Sequence, residues 1–279
     1  MERTVVYKGI EFILGRSRKF DKDFDRVVYL LKQNTLEDQY VRMELLNIYQ
    51  TSYHEKGKIE TIMSFDSSCS GCEFCAKMRK AGENDPLIIC NYCYDFHQES
   101  YKIFVANRHK LNLLIFSSVE FTVEELKTIH VTEENRGNSS GETPNKTYAI
   151  NILNSAYAHP DKRFAHWAKN THPIVAACDE IGKPENLVLV QSSIRIGIPD
   201  KKARYFDYVF TVYPDKKSCA EAIKNGASPC NGLKCIECKK KCYYATHTSD
   251  QIAEVLRGVS KEKSKVIMDE YNSRKREVI

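Results

Sequence analysis

Nine cysteines in two short windows constrain this chain more than anything else in it. The first window reads Cys69-Ser-Gly-Cys72-Glu-Phe-Cys75, then runs on to Cys90-Asn-Tyr-Cys93-Tyr94. The second reads Cys230-Asn-Gly-Leu-Lys-Cys235-Ile-Glu-Cys238-Lys-Lys-Lys-Cys242-Tyr243. Two cysteines separated by two residues can turn both sulfurs towards one metal centre, and the loop between them supplies amide N–H groups that stabilise thiolate charge. No secretory signal opens the chain: Met1-Glu-Arg-Thr-Val-Val-Tyr lacks a charged region followed by an apolar run and a cleavage site. No stretch approaches the roughly 20 apolar residues needed to span a bilayer. These features place the protein in the cytoplasm, where clustered C-x-x-C pairs argue for metal or redox chemistry rather than disulfides. The total of 11 cysteines is odd, which also sits poorly with complete pairing. The two isolated cysteines, Cys178 and Cys219, read as small buried apolar side chains.

Spacing bears on the kind of metal. Cys69, Cys72 and Cys75 match the opening of a bacterial ferredoxin run, C-x2-C-x2-C, without its C-x3-C-P continuation; the remaining ligand would come from Cys90, Cys93 or elsewhere. Cys230, Cys235 and Cys238 share the C-x4-C-x2-C opening of plant-type ferredoxins, and Cys242 follows. Common zinc modules use two well-separated C-x2-C knuckles, which Cys72/Cys75 with Cys90/Cys93 would provide. All nine cysteines are expected to be metal ligands, in one or two iron–sulfur clusters, with zinc as the alternative. None of the eight histidines forms a helical H-x3-H or H-E-x-x-H pair; His159, His166 and His172 read as satisfied surface or core residues.

The 279 residues are long for one simple domain, and three segments are expected: an N-terminal addition over 1–55, a cysteine-rich α/β core over 56–247 and a C-terminal helix over 248–279. In the first, Val5 to Leu14 has strand-like alternation. Phe20, Phe24, Val27, Val28 and Leu31 fall at the helical period. A second helix, capped by Thr35, would bury Tyr40, Met43, Leu46 and Ile48. Gly57 to Phe65 reads as a strand leading into Cys69. A helix from Asp95 to Leu114 would bury Tyr101, Phe104, Val105, Leu111 and Leu114. Thr122 and Glu125 form a capping box. The polar run Glu133 to Lys146 reads as a mobile surface loop.

Beyond it, strands are expected at Tyr148–Leu153, Ile174–Cys178, Leu187–Gln191 and Tyr208–Val212. Helices are expected at Asp161–Lys169, at Lys217–Asn225 before Gly226, and over Ser249–Tyr271 with a break at Gly258. Short apolar strands alternating with helices predict a parallel sheet covered by helices. Ligands gather at the carboxyl ends of such strands. Those ends would carry Asn154, Ser155, Cys178, Asp179, Gln191, Ser192, Ser193 and Tyr213; Asn154, Ser155, Gln191, Ser192 and Ser193 are the candidate cofactor-binding residues.

Charge is nearly balanced, 42 Lys+Arg against 37 Asp+Glu, a net +5. Two local basic runs stand out, Lys239-Lys240-Lys241 inside the second window and Arg274-Lys275-Arg276 near the end. Such patches attract nucleic acid or an acidic protein partner, although solvated surface lysines are the commoner outcome.

Several of these stretches resemble a phage and bacterial family, the phage gene-product-eighty-eight-like domain. They are the cysteines ending in Cys93-Tyr94, the runs Glu99-Ser-Tyr-Lys and Asn107-Arg-His-Lys-Leu-Asn, the segment Tyr148–Leu153 and Asn186-Leu-Val-Leu-Val-Gln-Ser-Ser. Most specific is Phe206-Asp-Tyr-Val-Phe-Thr-Val-Tyr213 followed by the second window. The resemblance covers about residues 57–247. It implies a partial (β/α) barrel-like core with cysteine ligands before the first helix and after the last strand. That arrangement is similar to radical-SAM enzymes, which bind a 4Fe-4S cluster through three cysteines and leave one iron for S-adenosylmethionine. Two features depart from the pattern. The usual C-x3-C-x2-C spacing is absent. Family members also tend to carry Ser-Gly-Asp-Phe where this chain has Asn154-Ser-Ala-Tyr-Ala-His159-Pro. The resemblance implies a SAM- or redox-dependent iron–sulfur protein acting in a phage-infected host cytoplasm. The alternative is a zinc-stabilised module that binds host protein or nucleic acid.

Overall fold

Of the run Gly57–Phe65, expected as a strand, only Met63–Phe65 is a buried strand; the residues before it form a turn, and the first cysteine follows the strand four residues later. The computed structural model describes residues 2–33, 36–230, 232, 234–239 and 241–277, with the side chains of 276 and 277 excepted. Thr35, the expected cap of the second helix, lies outside the described residues.

A hairpin of strands β1 (Arg3–Tyr7) and β2 (Ile10–Leu14) opens the chain. Helix α1 (Arg18–Lys32) follows, capped by the Ser17 side chain, which accepts from Phe20 N. It buries Phe20, Phe24, Val27, Leu30 and Leu31 at the predicted helical spacing. Helix α2 (Gln39–Ile48) starts at Asp38, whose carboxylate accepts from Tyr40 N. Its inner face is Leu45 and Leu46, while Tyr40 is exposed. This N-terminal segment is not a detached appendage. Phe12, Leu14, Phe24 and Leu45 belong to the same hydrophobic core as Phe65, Leu111, Phe116 and Tyr148.

The centre is an α/β layer structure around an eight-stranded sheet in the order β3-β4-β5-β6-β7-β8-β10-β9. Its strands are β3 (Ser52–Tyr53), β4 (Met63–Phe65), β5 (Glu134–Gly137), β6 (Arg163–Ala168), β7 (Leu187–Ser192), β8 (Tyr208–Tyr213), β9 (Ser228–Pro229) and β10 (Gln251–Val255). Only the edge strand β3 runs antiparallel to its neighbour; every other pairing is parallel. Between β4 and β5 lie α3 (Glu73–Gly82), α4 (Tyr94–Tyr101), α5 (Ile103–Ser118) and α6 (Val123–Leu126). The later crossovers use α7 (Lys146–Ala158), α8 (His172–Ile181) and α9 (Lys216–Lys224), and α10 (Lys261–Glu277) ends the described chain.

Several elements differ in type from the sequence expectation. Tyr148–Leu153 is the middle of α7, not a strand. An unbroken apolar run suits a buried helix as well as a buried strand, and the Asn145 cap, accepting from Tyr148 N at 2.9 Å, starts the helix. Asp161–Lys169 contains strand β6 rather than a helix, paired on both sides with β5 and β7. Ile174–Cys178 belongs to α8, which begins with Pro173 in its first turn and stops at Gly182, whose φ is +80°. The expected C-terminal helix is strand β10 through Val255 and helix α10 only from Lys261, with Gly258 between them. The sheet therefore extends past residue 247, the expected core boundary. Tyr101, Phe104 and Val105 lie on the exposed side of α4 and α5, while Leu111 and Leu114 are buried.

The largest correction concerns Glu133–Lys146. It holds β5, an interior strand of the sheet, and Asn135 is fully buried. Its polarity is met internally: Asn135 Nδ2 donates to Thr132 O at 2.8 Å, and its Oδ1 accepts from Thr132 N at 2.9 Å. Leu187–Gln191, Tyr208–Val212, the helix before Gly226 and the Thr122/Glu125 capping box agree with expectation.

Candidate metal centre

The first window starts where β4 ends. Asp66, Ser67 and Ser68 turn the chain off the sheet, and all are buried. Cys72 is the N-cap of α3 and Cys75 lies in that helix's first turn. Cys90 sits in a 3-10 turn over Ile89–Tyr92, and Cys93 is the N-cap of α4. Neither capping cysteine makes a side-chain cap bond. The first-turn N–H groups of each helix reach the sulfur instead, Cys75 and Phe74 at Cys72 and Phe96 at Cys93, which favours thiolate, although at Cys93 the neighbouring Cys69 outweighs it.

Sulfurs from both halves of the window meet. Cys69 Sγ and Cys93 Sγ are 3.9 Å apart. Cys75 bridges to Cys69 and Cys72, and these contacts hold the Cys69 and Cys72 thiols low while pushing the Cys75 thiol up. The same contact with Cys69 raises Cys93. Four thiols in one place cannot all ionise without a cation among them. Lys169 lines the same space: burial disfavours its charge, but Cys90, Glu142, Cys93 and Cys75 outweigh that and keep it protonated.

A buried carboxylate anchors this loop from behind. Glu99, on α4, accepts from Cys69 N at 3.0 Å, Ser70 N at 2.9 Å and Ser68 Oγ at 2.9 Å. It thus fastens the helix that begins at Cys93 to the loop that carries Cys69. Behind it His109 lies 3.9 Å from both Glu99 and Asp66. Burial disfavours its charge, but Glu99 and Asp66 prevail and raise its pKa. Gly141 closes the loop from the β5 side with φ +89°; a Cβ there would sit 2.4 Å from Ser67 O.

The second window leaves β9. Cys230 N donates to Ala253 O at 2.8 Å and Cys235 N to Lys58 O at 2.7 Å. Tyr243 is buried against Trp167, with ring centroids 5.9 Å apart. Cys242 Sγ lies 3.1 Å from His247 Nε2. Burial, aided by Lys241, depresses the His247 pKa to about 4 and so leaves its ring neutral, the form that ligates metal.

Both windows open on one cavity of about 640 Å³. Cys69, Cys75, Cys90 and Cys93 line one side and Cys230, Cys235, Cys238 and Cys242 the other; Cys72 is buried behind Cys75. Lys58, Arg79, Asp95, Arg136, Glu142, Trp167, Lys169, Ser192, Phe210, Lys239, Lys241 and His247 complete much of the wall. Asp95 is raised to about 7 by burial and by the neighbouring Cys69 and Asp66. The walls belong to the carboxyl ends of β5, β6 and β7, where parallel sheets place their sites, with Phe210 from the middle of β8.

Of the candidate cofactor-binding residues only Ser192 lines this cavity. Asn154 and Ser155 are on α7, where Asn154 Nδ2 donates to Phe121 O and Ser155 Oγ to Asn151 O. They miss the site because the segment before them is a helix, not a strand. Gln191 holds the Lys201–Ala203 loop, and Ser193 bonds Thr211 and Asp200 N. Cys178 and Asp179 are within α8, and Tyr213 is buried in a cluster with Cys219. Lys239 and Lys241 line the cavity rather than forming a separate patch, and Lys240 lies outside the described residues. Arg274 is tied to Asp85 and Glu270, and Lys275 to Glu221.

Sequence inspection missed Arg136, Trp167, Lys169, Glu142 and Glu99. The first four lie in segments assigned to the wrong kind of element. His247 carried a faint signal, its place five residues after Cys242.

Among the described residues no three or more His, Cys, Asp or Glu side chains are arranged to hold a single metal ion. No helix among the described residues is long and apolar enough to cross a membrane. Comparison with family models, curated proteins and solved structures gives no match.

Proposed function

We propose that this chain is an iron–sulfur protein of the phage gene-product-eighty-eight-like kind, working in the host cytoplasm as a SAM- or redox-dependent enzyme. One observation carries the metal reading: eight of the nine window cysteines line a single cavity at the carboxyl ends of parallel strands. Strands β4, β5, β6, β7, β8 and β10 lie side by side in chain order, all parallel, which supports a partial (β/α) barrel. The first cysteine loop follows the first of them.

Cys69, Cys72 and Cys75 with Cys90 or Cys93 would hold one 4Fe-4S cluster. Cys230, Cys235, Cys238 and Cys242, with His247 within reach, would hold a second. A cluster supplies one-electron transfer when bound. The helix N-terminus behind Cys72 favours thiolate, Lys169 offsets negative charge at the first window, and Glu99 fixes the loop. S-adenosylmethionine rests on the resemblance alone, since four of the five side chains expected to bind it lie elsewhere.

Zinc is the second reading, favoured by the 3.9 Å Cys69–Cys93 separation. That is close to the edge of a tetrahedron of sulfurs about 2.3 Å from zinc. In that form the chain is a zinc-stapled module whose Lys239 and Lys241 face a nucleic-acid or protein partner.

Anaerobic purification followed by iron, acid-labile sulfide and zinc analysis decides between them. Brown protein absorbing near 400 nm, with iron and sulfide in equal amounts, is expected. Colourless protein with stoichiometric zinc and no sulfide overturns the iron–sulfur assignment.

A further inference from the structure

Arg136 stands out from the other charged residues around the cavity. It projects from β5 and stacks on Trp167, with its guanidinium carbon 4.1 Å from the ring centroid. Its Nε is buried without a hydrogen-bond partner, and among the described residues it makes no ion pair. Lys58, across the same space, is already paired with Glu254. An orphaned buried donor on a half-buried guanidinium is costly unless something fills it. A guanidinium fork matches a carboxylate or phosphate edge-on, and stacking on an indole leaves that edge free. Trp167 and Phe210 add a flat aromatic wall beside it.

We propose that the cavity binds a small organic anion, its carboxylate or phosphate head held by the Arg136 fork and its flat or apolar body against Trp167 and Phe210. This deepens the proposed function by naming a ligand class for the same cavity, and it holds whichever metal the cysteines carry. Lys169 adds a second positive charge on the side of the first window, where Glu142, Cys75, Cys90 and Cys93 face it. The cavity volume fits a small metabolite rather than a polymer.

The test is calorimetric titration of the purified, metal-loaded protein with citrate and with pyrophosphate at constant ionic strength. Trp167, the chain's single tryptophan, reports by its fluorescence. Saturable binding of at least one probe, with a matching change in Trp167 emission, is expected. R136Q should weaken it about tenfold or more, the scale of one charge-assisted bond. R136K, which keeps the charge and loses the fork, should fall between and also serves if R136Q fails to fold. The two probes separate a carboxylate site from a phosphate site. No binding of either probe, or equal binding by wild type and both variants, overturns the proposal. So does loss of metal from R136Q without any anion response in the wild type, which would make Arg136 a counter-charge for Cys235 and Cys242. Anion binding to a protein that carries no metal would sink the iron–sulfur assignment and leave this inference standing.

Discussion

Three donors of the Cys69 loop, none of them a sulfur, end on the Glu99 carboxylate. Glu99→Gln keeps the size but can accept through only one oxygen. If Glu99 positions the ligands, metal affinity should fall about 10- to 100-fold, as outer-shell changes do at metal sites. Competition with a chelator measures this, and unchanged affinity in a folded variant would remove Glu99 from the centre. Gly141 constrains the same loop through its backbone. Gly141→Ala puts a Cβ against Ser67 O in a left-handed conformation and should cost about 1–3 kcal/mol in denaturant unfolding. His166 is a third single-residue case. Burial, with help from Arg136, depresses its pKa to about 3. A folded-state value below the unfolded one means that protonation favours unfolding. Stability should therefore be intact above about pH 6.5 and fall by about 1.4 kcal/mol per unit below it, about 2 kcal/mol by pH 5. His166→Asn should flatten that part of the stability profile; a profile identical to the wild type would show that His166 does not titrate on unfolding.

At the scale of elements, the order of strands and helices was far less legible than their alternation. Tyr148–Leu153 and Ile174–Cys178 were expected as strands and are helices; Asp161–Lys169 was expected as a helix and is a strand. The prediction of a helix-covered parallel sheet survived because swapping neighbouring labels preserves an α/β rhythm. The physical cause is shared: α7 is buried on nearly every side, so it lacks the polar face that marks a helix. Strand β5 fails in the opposite sense. Its Glu-Asn-Arg-Gly carries no apolar alternation because Asn135 is satisfied by hydrogen bonds rather than by packing. The site inherited these errors, since Arg136, Glu142, Trp167 and Lys169 fall in or beside the misassigned elements. The cysteines were legible because their chemistry does not depend on the element that carries them. Asn145 is the most exposed of these determinants to experiment. Replacing it with Ala removes the α7 cap and should lower stability by about 1 kcal/mol, read from the urea midpoint at constant m.

At the scale of the whole molecule, the two windows are far apart in sequence and face one another across a single cavity. If both hold metal as proposed, loss of a cysteine in either should be felt globally. Cys69→Ser and Cys235→Ser are each expected to lower the single unfolding transition of the full chain; a local effect confined to one loop would count against a shared centre. The first hairpin and the last helix are bound into the same unit. The hairpin β1–β2 shares the main core, and α10 is held to Asp85 through Arg274 and to Glu221 through Lys275.

The strand order has a consequence for assembly. Strand β9 is made before β10, yet in the sheet β10 lies between β8 and β9. The chain must leave a slot, loop out through residues 230–250, and return to fill it. That excursion contains the second cysteine window. A metal that tied Cys230 to Cys235, Cys238 and Cys242, as proposed, would shorten the free loop and lower the entropy cost of its return. Metal capture and insertion of the last strand would then be two views of one late step, with the window acting as a latch. Amide exchange in Gln251–Val255 should accordingly be slow in loaded protein and quicken there first when the metal is stripped.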